Sequence, residues 1–197
     1  MAKGPSYNVP FRRRREGKTD YKSRRALITS GLPRLVVRGT SKYTIVQIIE
    51  AGETGDRVAA SATSRELTTH GWRGSRGNIP AAYLTGLLCG YRAITSGVKE
   101  AVLDIGLQTL SRGAKILAAL RGVADTGIGV PHDQGVLPDE SRTSGQHIAD
   151  YANQLSSDSE TYQKRFSKYM SRKFKPEKLP EHFSSIKESI ISSFKKG

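Results

Sequence analysis

Leu35 to Ala62, LVVRGTSKYTIVQIIEAGETGDRVAASA, holds three apolar stretches separated by two turn clusters. Leu35 to Arg38, Tyr43 to Ile49 and Val58 to Ala62 are rich in Val, Ile and Ala, the composition of strands. Gly39-Thr40-Ser41 and Ala51-Gly52-Glu53-Thr54-Gly55 lie between them. Connections this short suit antiparallel neighbours, so the stretch reads as a β-meander.

Downstream, the pattern changes from strand to helix and back. Thr63 followed by Glu66 matches a capping box that opens a short helix, ended by Gly71. After the loop GWRGSRGN, Asn78 caps a longer helix with Pro80 in its first turn and an apolar side through Leu84, Leu87, Leu88, Tyr91 and Ile94. Ala82, Gly86 and Gly90 form a small-residue stripe that would let this helix lie close on a sheet. The run Ala101 to Ile105 reads as a buried strand and Ala114 to Val123 as another helix. Strand, long helix, strand is a parallel crossover. The predicted fold class is therefore α/β: an antiparallel meander extended by a parallel crossover strand, with helices packed on the sheet.

The flanks differ in composition from this body. Residues 1 to 25 hold nine basic and two acidic side chains, residues 161 to 197 hold ten and three, and residues 26 to 160 hold thirteen of each. The whole chain of 197 residues has a formal net charge of +14, which implies a polyanionic partner. Residues 1 to 18, with Gly4, Pro5, Pro10, Gly17 and four consecutive arginines, read as a basic extended arm. Thr19 or Asp20 can cap a short basic helix running to Ser30. Residues 126 to 147, TGIGVPHDQGVLPDESRTSGQH, are too irregular for an element. Beyond them Tyr162, Phe166, Tyr169 and Met170, then Leu179, Phe183, Ile186, Ile190 and Phe194, keep helical spacing, with a break near Pro176 and Pro180. The expected division is basic extended arm 1–18, α/β body 19–150, the part that would bind the polyanion, and basic helical C-terminal extension 151–197.

Several functions are disfavoured. No apolar segment follows the N-terminal basic residues, so a secretory signal is not expected. The most apolar window, Ile79 to Val98, is broken by Arg92 and three glycines and would span a bilayer poorly. A single cysteine, Cys89, allows no intramolecular disulfide and no multi-cysteine zinc site, which fits a reducing cytoplasm. His70, His132, His147 and His182 lack metal-ligand spacing, and the glycine-rich segments match no nucleotide-binding loop. No cofactor or metal is expected. Asp104, closing VLDIG, invites comparison with the strand-end carboxylates of nucleases, but only Glu50 offers a second acid, and a structural role is the simpler reading. Cys89 lies in an apolar helix and reads as packed.

The basic elements carry more information. Arg12, Arg13, Arg14, Arg15, Lys18, Lys22, Arg24 and Arg25 lie beside Tyr7, Phe11 and Tyr21, mixing phosphate-pairing cations with rings that stack on bases. Trp72 stands in a loop with Arg73, Arg76 and Asn78, where it either packs in the core or stacks on RNA. In the extension, Lys164, Arg165 and Lys168 accompany the aromatic stripe. The rings read as anchors and the cations as phosphate contacts.

TDYKSRRALITSGLPRLVVRGTSKY, SRELTTHGWRG, NIPAAYLTGLLCGYRA, EAVLDIGL, GIGVPH and SRTSGQHI, in that order and spacing, resemble the archaeal branch of the large-subunit ribosomal protein family numbered eighteen, the 5S rRNA-binding family. The likeness covers about residues 7 to 150. It implies a ribonuclease-H-like body without catalysis that holds 5S rRNA in the central protuberance. The implied partners are 5S rRNA, large-subunit rRNA and large-subunit ribosomal protein five, with no membrane. It also implies RNA contacts along Arg12 to Arg25, at Arg34, Arg38, Ser41, Lys42 and Tyr43, and in the GWRG loop with Arg76. A ribonuclease, needing a metal-binding acidic cluster, and a peripheral membrane or chaperone-like binder, using the cationic C-terminal helices, are the competing classes.

Overall fold

Alternation along the first strand decides which side of the sheet carries the core. In the computed structural model, which describes residues 4–195, β1 is Arg34–Gly39, and its Leu35 and Val37 are fully buried. β2 (Thr44–Gly52) runs antiparallel to it, placing Ile48 opposite Leu35 and Val46 opposite Val37. β3 (Gly55–Thr63) is antiparallel to β2, with Ala60 opposite Ile48 and Ala62 opposite Val46. Directly opposed side chains share a face, so these six make one buried apolar surface.

β4 (Val102–Asp104) joins the other edge, parallel to β1, giving the order β3-β2-β1-β4. The expected crossover is present and carries the chain from one edge of the sheet to the other. Successive amides of this segment point to opposite sides. Val102 donates to the Pro33 carbonyl, on the β1 side, while Ala101 donates to Gly129 on the far side (2.9 Å). Glu100 and Gly129 form a lone parallel bridge there, a one-residue continuation of the sheet.

The arm is not wholly extended: Arg12–Arg15 winds into a single helical turn, α1. The basic helix that follows, α2 (Tyr21–Thr29), starts at Asp20, whose carboxylate accepts from the Lys22 and Ser23 amides as a cap should. It contacts β4. The capping box holds only in part. Glu66 reaches back to the Thr63 amide (2.9 Å), but the helix it opens is a three-residue 3₁₀ turn, Glu66–Thr68.

α3 (Ile79–Thr95) begins at Asn78, which accepts from the Ala81 amide, and packs on β2 and β3. α4 (Lys115–Ala124) packs on β1. The small-residue stripe serves a different partner from the one predicted. A side chain at Gly86 would fall on the backbone of Ala119, and one at Gly122 on the backbone of Tyr83. The glycines thus let α3 and α4 touch backbone to backbone.

The stretch 126–147 is less irregular than its composition suggests, because α5 (Glu140–Ser144) and the start of α6 (Gln146–Gln154) lie in it and meet at Gly145. α6 runs through residue 150, so the expected border between body and extension falls inside a helix. α7 (Ser159–Met170), interrupted at Phe166, and α8 (Leu179–Lys195) follow, separated by the Pro176–Lys178 turn. Leu179, Phe183, Ile186 and Ile190 enter the same core as the sheet, and Phe183 and Phe194 lie 5.5 and 5.4 Å from the rings of Tyr83 and Tyr91 on α3. The extension completes the body, since an apolar helical face needs a partner to gain from burial.

Candidate nucleic-acid interface

Three basic regions emerge from this fold. The first lies on the sheet face opposite the core, where the odd–even alternation of β1 puts Arg34, Val36 and Arg38 in a groove of about 510 Å³ beneath α2. Here the charges pair with one another. Arg24 and Arg34 both reach Asp56 (2.9 and 2.7 Å), Arg34 also reaches Asp104 (2.9 Å), and Arg38 grips the other oxygen of Asp104 (2.8 Å) and its carbonyl (2.6 Å). Burial alone would raise the Asp104 pKa. The Arg38 guanidinium, the Gly106 amide and Arg34 outweigh burial and hold the carboxyl below the usual carboxylate range.

This network corrects the expectation for Arg34, which is 4% exposed and bound between two carboxylates. It is a buried structural cation with no free edge for phosphate. Arg24 and Arg38 are likewise engaged, leaving them as partly exposed members of the same chain of charges. Asp104 is the structural residue the sequence reading favoured. Among the described residues no group of His, Cys, Asp and Glu side chains could hold a metal ion.

Along the arm, Arg12, Arg13, Arg14, Arg15, Lys18, Lys22 and Arg25 are exposed. Glu16 is the acid they share, 2.8 Å from Lys18 and 3.8 Å from Arg12. Tyr21 is half-buried and its ring sits 5.0 Å from that of Phe11, which is 69% exposed.

The second region joins the β1–β2 hairpin tip to the loop 71–78. A side chain at Gly77 would strike the Ser41 carbonyl, so glycine lets the loop abut the tip. Ser41 and Lys42 are exposed there. Tyr43 has two arginines over its ring, with the Arg65 guanidinium 4.1 Å and the Arg76 guanidinium 5.2 Å from its centroid. Lys115 braces the turn from behind by donating to the Thr40 carbonyl (2.7 Å).

Trp72, left open between core and RNA, is core. It is 2% exposed, its indole N–H donates to the Ser75 carbonyl (3.1 Å), and its ring stacks on His182 of α8 at 5.2 Å. No face is left for a base. The loop around it is held by the extension: the Arg73 amide donates to His182 Nε2 (3.1 Å), the Ser75 amide to the Tyr169 hydroxyl (3.3 Å), and Arg172 to the Arg73 and Gly74 carbonyls. Burial, then the nearby charge of Arg73, lowers the His182 pKa, which keeps the ring a neutral acceptor. Arg73 itself stays exposed.

The third region is the outer side of α7, where Lys164, Arg165 and Lys168 are exposed while Phe166 is buried against Tyr151, Tyr162 and Tyr169. Sequence reading misses Arg65, and it names Tyr169 as an anchoring ring, His182 as a non-metal histidine and Arg172 as a basic residue of the extension without showing that all three hold the loop 71–78. Arg65 could have been found by running the β2–β3 pairing one step past Thr44 and Ser64, which sets it opposite Tyr43.

Exposed cations grouped on a folded body make the kind of surface that suits a polyanion. No described helix is long and apolar enough to cross a membrane, and burial pushes the Cys89 thiol up to about 12, away from nucleophilic use. The chain matches the model of a family described as ribosomal large subunit proteins 60S L5 and 50S L18, over residues 5–100 and 95–133. It is 54% identical over 190 residues to large ribosomal subunit protein uL18 of Methanothermobacter thermautotrophicus, covering 96% of this chain and 98% of that one. To the protein of the same name from Caldivirga maquilingensis it is 48% identical over 198 residues, covering 100% of this chain and 96% of the relative. The chain therefore belongs to the uL18 family of large-subunit ribosomal proteins, which are structural and non-enzymatic. The resemblance drawn from its motifs is borne out.

Proposed function

We propose that this protein binds 5S rRNA and helps fix it in the central protuberance of the large subunit, while also touching large-subunit rRNA and lying near ribosomal protein five. The observation that carries the reading is the distribution of solvent-exposed cations, which far outnumber the acids beside them: among the described residues of the arm Glu16 alone pairs, with Lys18 and Arg12. Arg24, Arg34, Arg38, Arg57 and Arg92 of the body are spent on its own carboxylates, whereas Arg12 to Arg15, Lys18, Lys22, Arg25, Lys42, Arg73, Lys164, Arg165 and Lys168 are exposed to solvent and Arg76 is half-buried. Cations held by a folded body neutralise phosphates, release counterions and fix the register of irregular RNA. The order β3-β2-β1-β4 with its parallel β1–β4 pair supports a ribonuclease-H-like reading of the body. Family membership supports the choice of RNA.

The test is filter binding of the full chain to 5S rRNA and to a tRNA-sized control across a salt series. Tighter binding to 5S rRNA with a steep salt dependence is expected. Equal affinity for both RNAs at physiological salt would sink the specific reading.

A further inference from the structure

Arg65 and Arg76 differ from the other arginines near the body in what holds them. Arg24, Arg34, Arg38, Arg57 and Arg92 are each paired with a carboxylate. Arg112, Arg121 and Arg172 donate to backbone carbonyls. Among the described residues, the guanidinium groups of Arg65 and Arg76 have no carboxylate within 4.0 Å and no hydrogen-bond acceptor, and what positions them is the ring of Tyr43. The nearest acid in sequence, Glu66, is committed to Arg92 (2.6 Å) and to the Thr63 amide.

The arrangement is built by backbone. Thr44 and Ser64 are tied by two bonds: the Thr44 amide donates to the Ser64 hydroxyl (3.0 Å) and the Ser64 amide to the Thr44 carbonyl (2.9 Å), both buried. Their neighbours Tyr43 and Arg65 are thereby set across from each other. Gly77, pressed on the Ser41 carbonyl, brings Arg76 to the same ring. A cation over a ring face uses none of its in-plane N–H donors. Both guanidinium groups are therefore oriented while their hydrogen-bonding edges stay free, the state that favours bidentate capture of phosphate.

We propose that Arg65 and Arg76, carried on the ring of Tyr43, form a clamp for the phosphodiester backbone of ribosomal RNA, with Tyr43 a positioning residue and not a platform for a base. The proposal rests on the rRNA-binding reading above and assigns a contact to Arg65 and a different role to Tyr43.

A double-mutant cycle on the full chain tests it, read as affinity across a salt series for 5S rRNA and, separately, for large-subunit rRNA. Arg65→Gln and Arg76→Gln should each weaken binding about three- to tenfold and flatten the salt slope by about one. Tyr43→Leu should weaken it about two- to fivefold with the slope unchanged, because the charges remain. Tyr43→Phe should behave as wild type. In the Arg65→Gln/Arg76→Gln background the effect of Tyr43→Leu should vanish; if it persists in full on both RNAs, Tyr43 touches RNA directly and the clamp is wrong. Arg65→Lys/Arg76→Lys keeps both charges without the planar fork and leaves Tyr43 in place, so it reads the clamp even where Tyr43→Leu unfolds. Undiminished affinity of the lysine pair for both RNAs would likewise overturn the proposal. Loss of 5S preference by the wild type, with the cycle intact on large-subunit rRNA, would refute the functional reading and leave the clamp standing.

Discussion

Arg34 and Asp104 face each other from neighbouring parallel strands, 2.9 Å apart, each with less than a tenth of its side chain exposed. Neither charge has water to fall back on, so each depends on the other and on Asp56 and Arg38 at the ends of the network. Asp104→Asn should cost about 3–5 kcal/mol, the usual range when one partner of a buried pair is removed. Urea unfolding measures it, and a loss below 1 kcal/mol would contradict the network's structural role. The depressed pKa of Asp104 sets a pH window. The unfolded chain takes up the proton first, so this stabilisation is whole above about pH 4 and declines as pH falls through the lower folded value.

Gly86, Gly90 and Gly122 should not respond alike. At Gly86 and Gly122 an added methyl meets backbone of the opposite helix, which cannot step aside, whereas at Gly90 it meets the Thr126 side chain at 2.5 Å, which can rotate. Gly86→Ala and Gly122→Ala should each destabilise by about 1–3 kcal/mol or more. All three regain about 1 kcal/mol of helix propensity, so Gly90→Ala should cost less only because the Thr126 side chain can give way. Equal melting temperatures for the three variants would rule out the backbone contact.

Trp72, the only tryptophan, reports on the C-terminal helix because His182 stacks on it. Phe183→Ala and Ile190→Ala, each removing a buried anchor of α8, should cost about 2–5 kcal/mol and shift the tryptophan emission to the red as the helix loosens. Substituting Lys164, Arg165 and Lys168 by Gln should leave the emission unchanged and weaken retention on rRNA, with a flatter salt slope. Identical spectra and identical RNA retention for the two sets would refute the division between the faces.

His182 makes the docking of α8 sensitive to acid. Its pKa is lowered by burial and then by Arg73, so the folded state resists a proton that the unfolded state accepts. The associated stability is whole above about pH 6.5 and falls as pH drops below it toward the folded value. Exchange of the Arg73 amide, corrected for its intrinsic rate, should speed up at pH 5.5 relative to pH 7.5, and should no longer do so in His182→Gln. Unchanged protection in the wild type would argue against the bond to Nε2.

The meander, the Asn78 cap and a cap at Thr19 or Asp20 are legible in the sequence because neighbours a few residues apart decide them, and the parallel strand is legible through its continuous apolar run and the long helix before it. Sequence reading fails where the deciding partner is remote. Arg34 looks like any strand arginine until β3 and β4 supply Asp56 and Asp104. Trp72 cannot be placed without α8, and the glycine stripe of α3 does not announce whether a sheet or a helix will press on it. Arg65 is hidden differently: its role depends on register beyond the last strand residue, where composition carries no signal.

The loop 71–78 draws its restraints from far down the chain, with Arg73 bonded to a residue 109 positions later. During synthesis the strands, α3 and α4 can collapse on one another long before that residue exists. Trp72 must then wait, uncovered, until α8 has been made. The Arg76 side of the proposed RNA contact therefore takes its final shape last, timed by synthesis of α8 rather than by folding of the strands, α3 and α4.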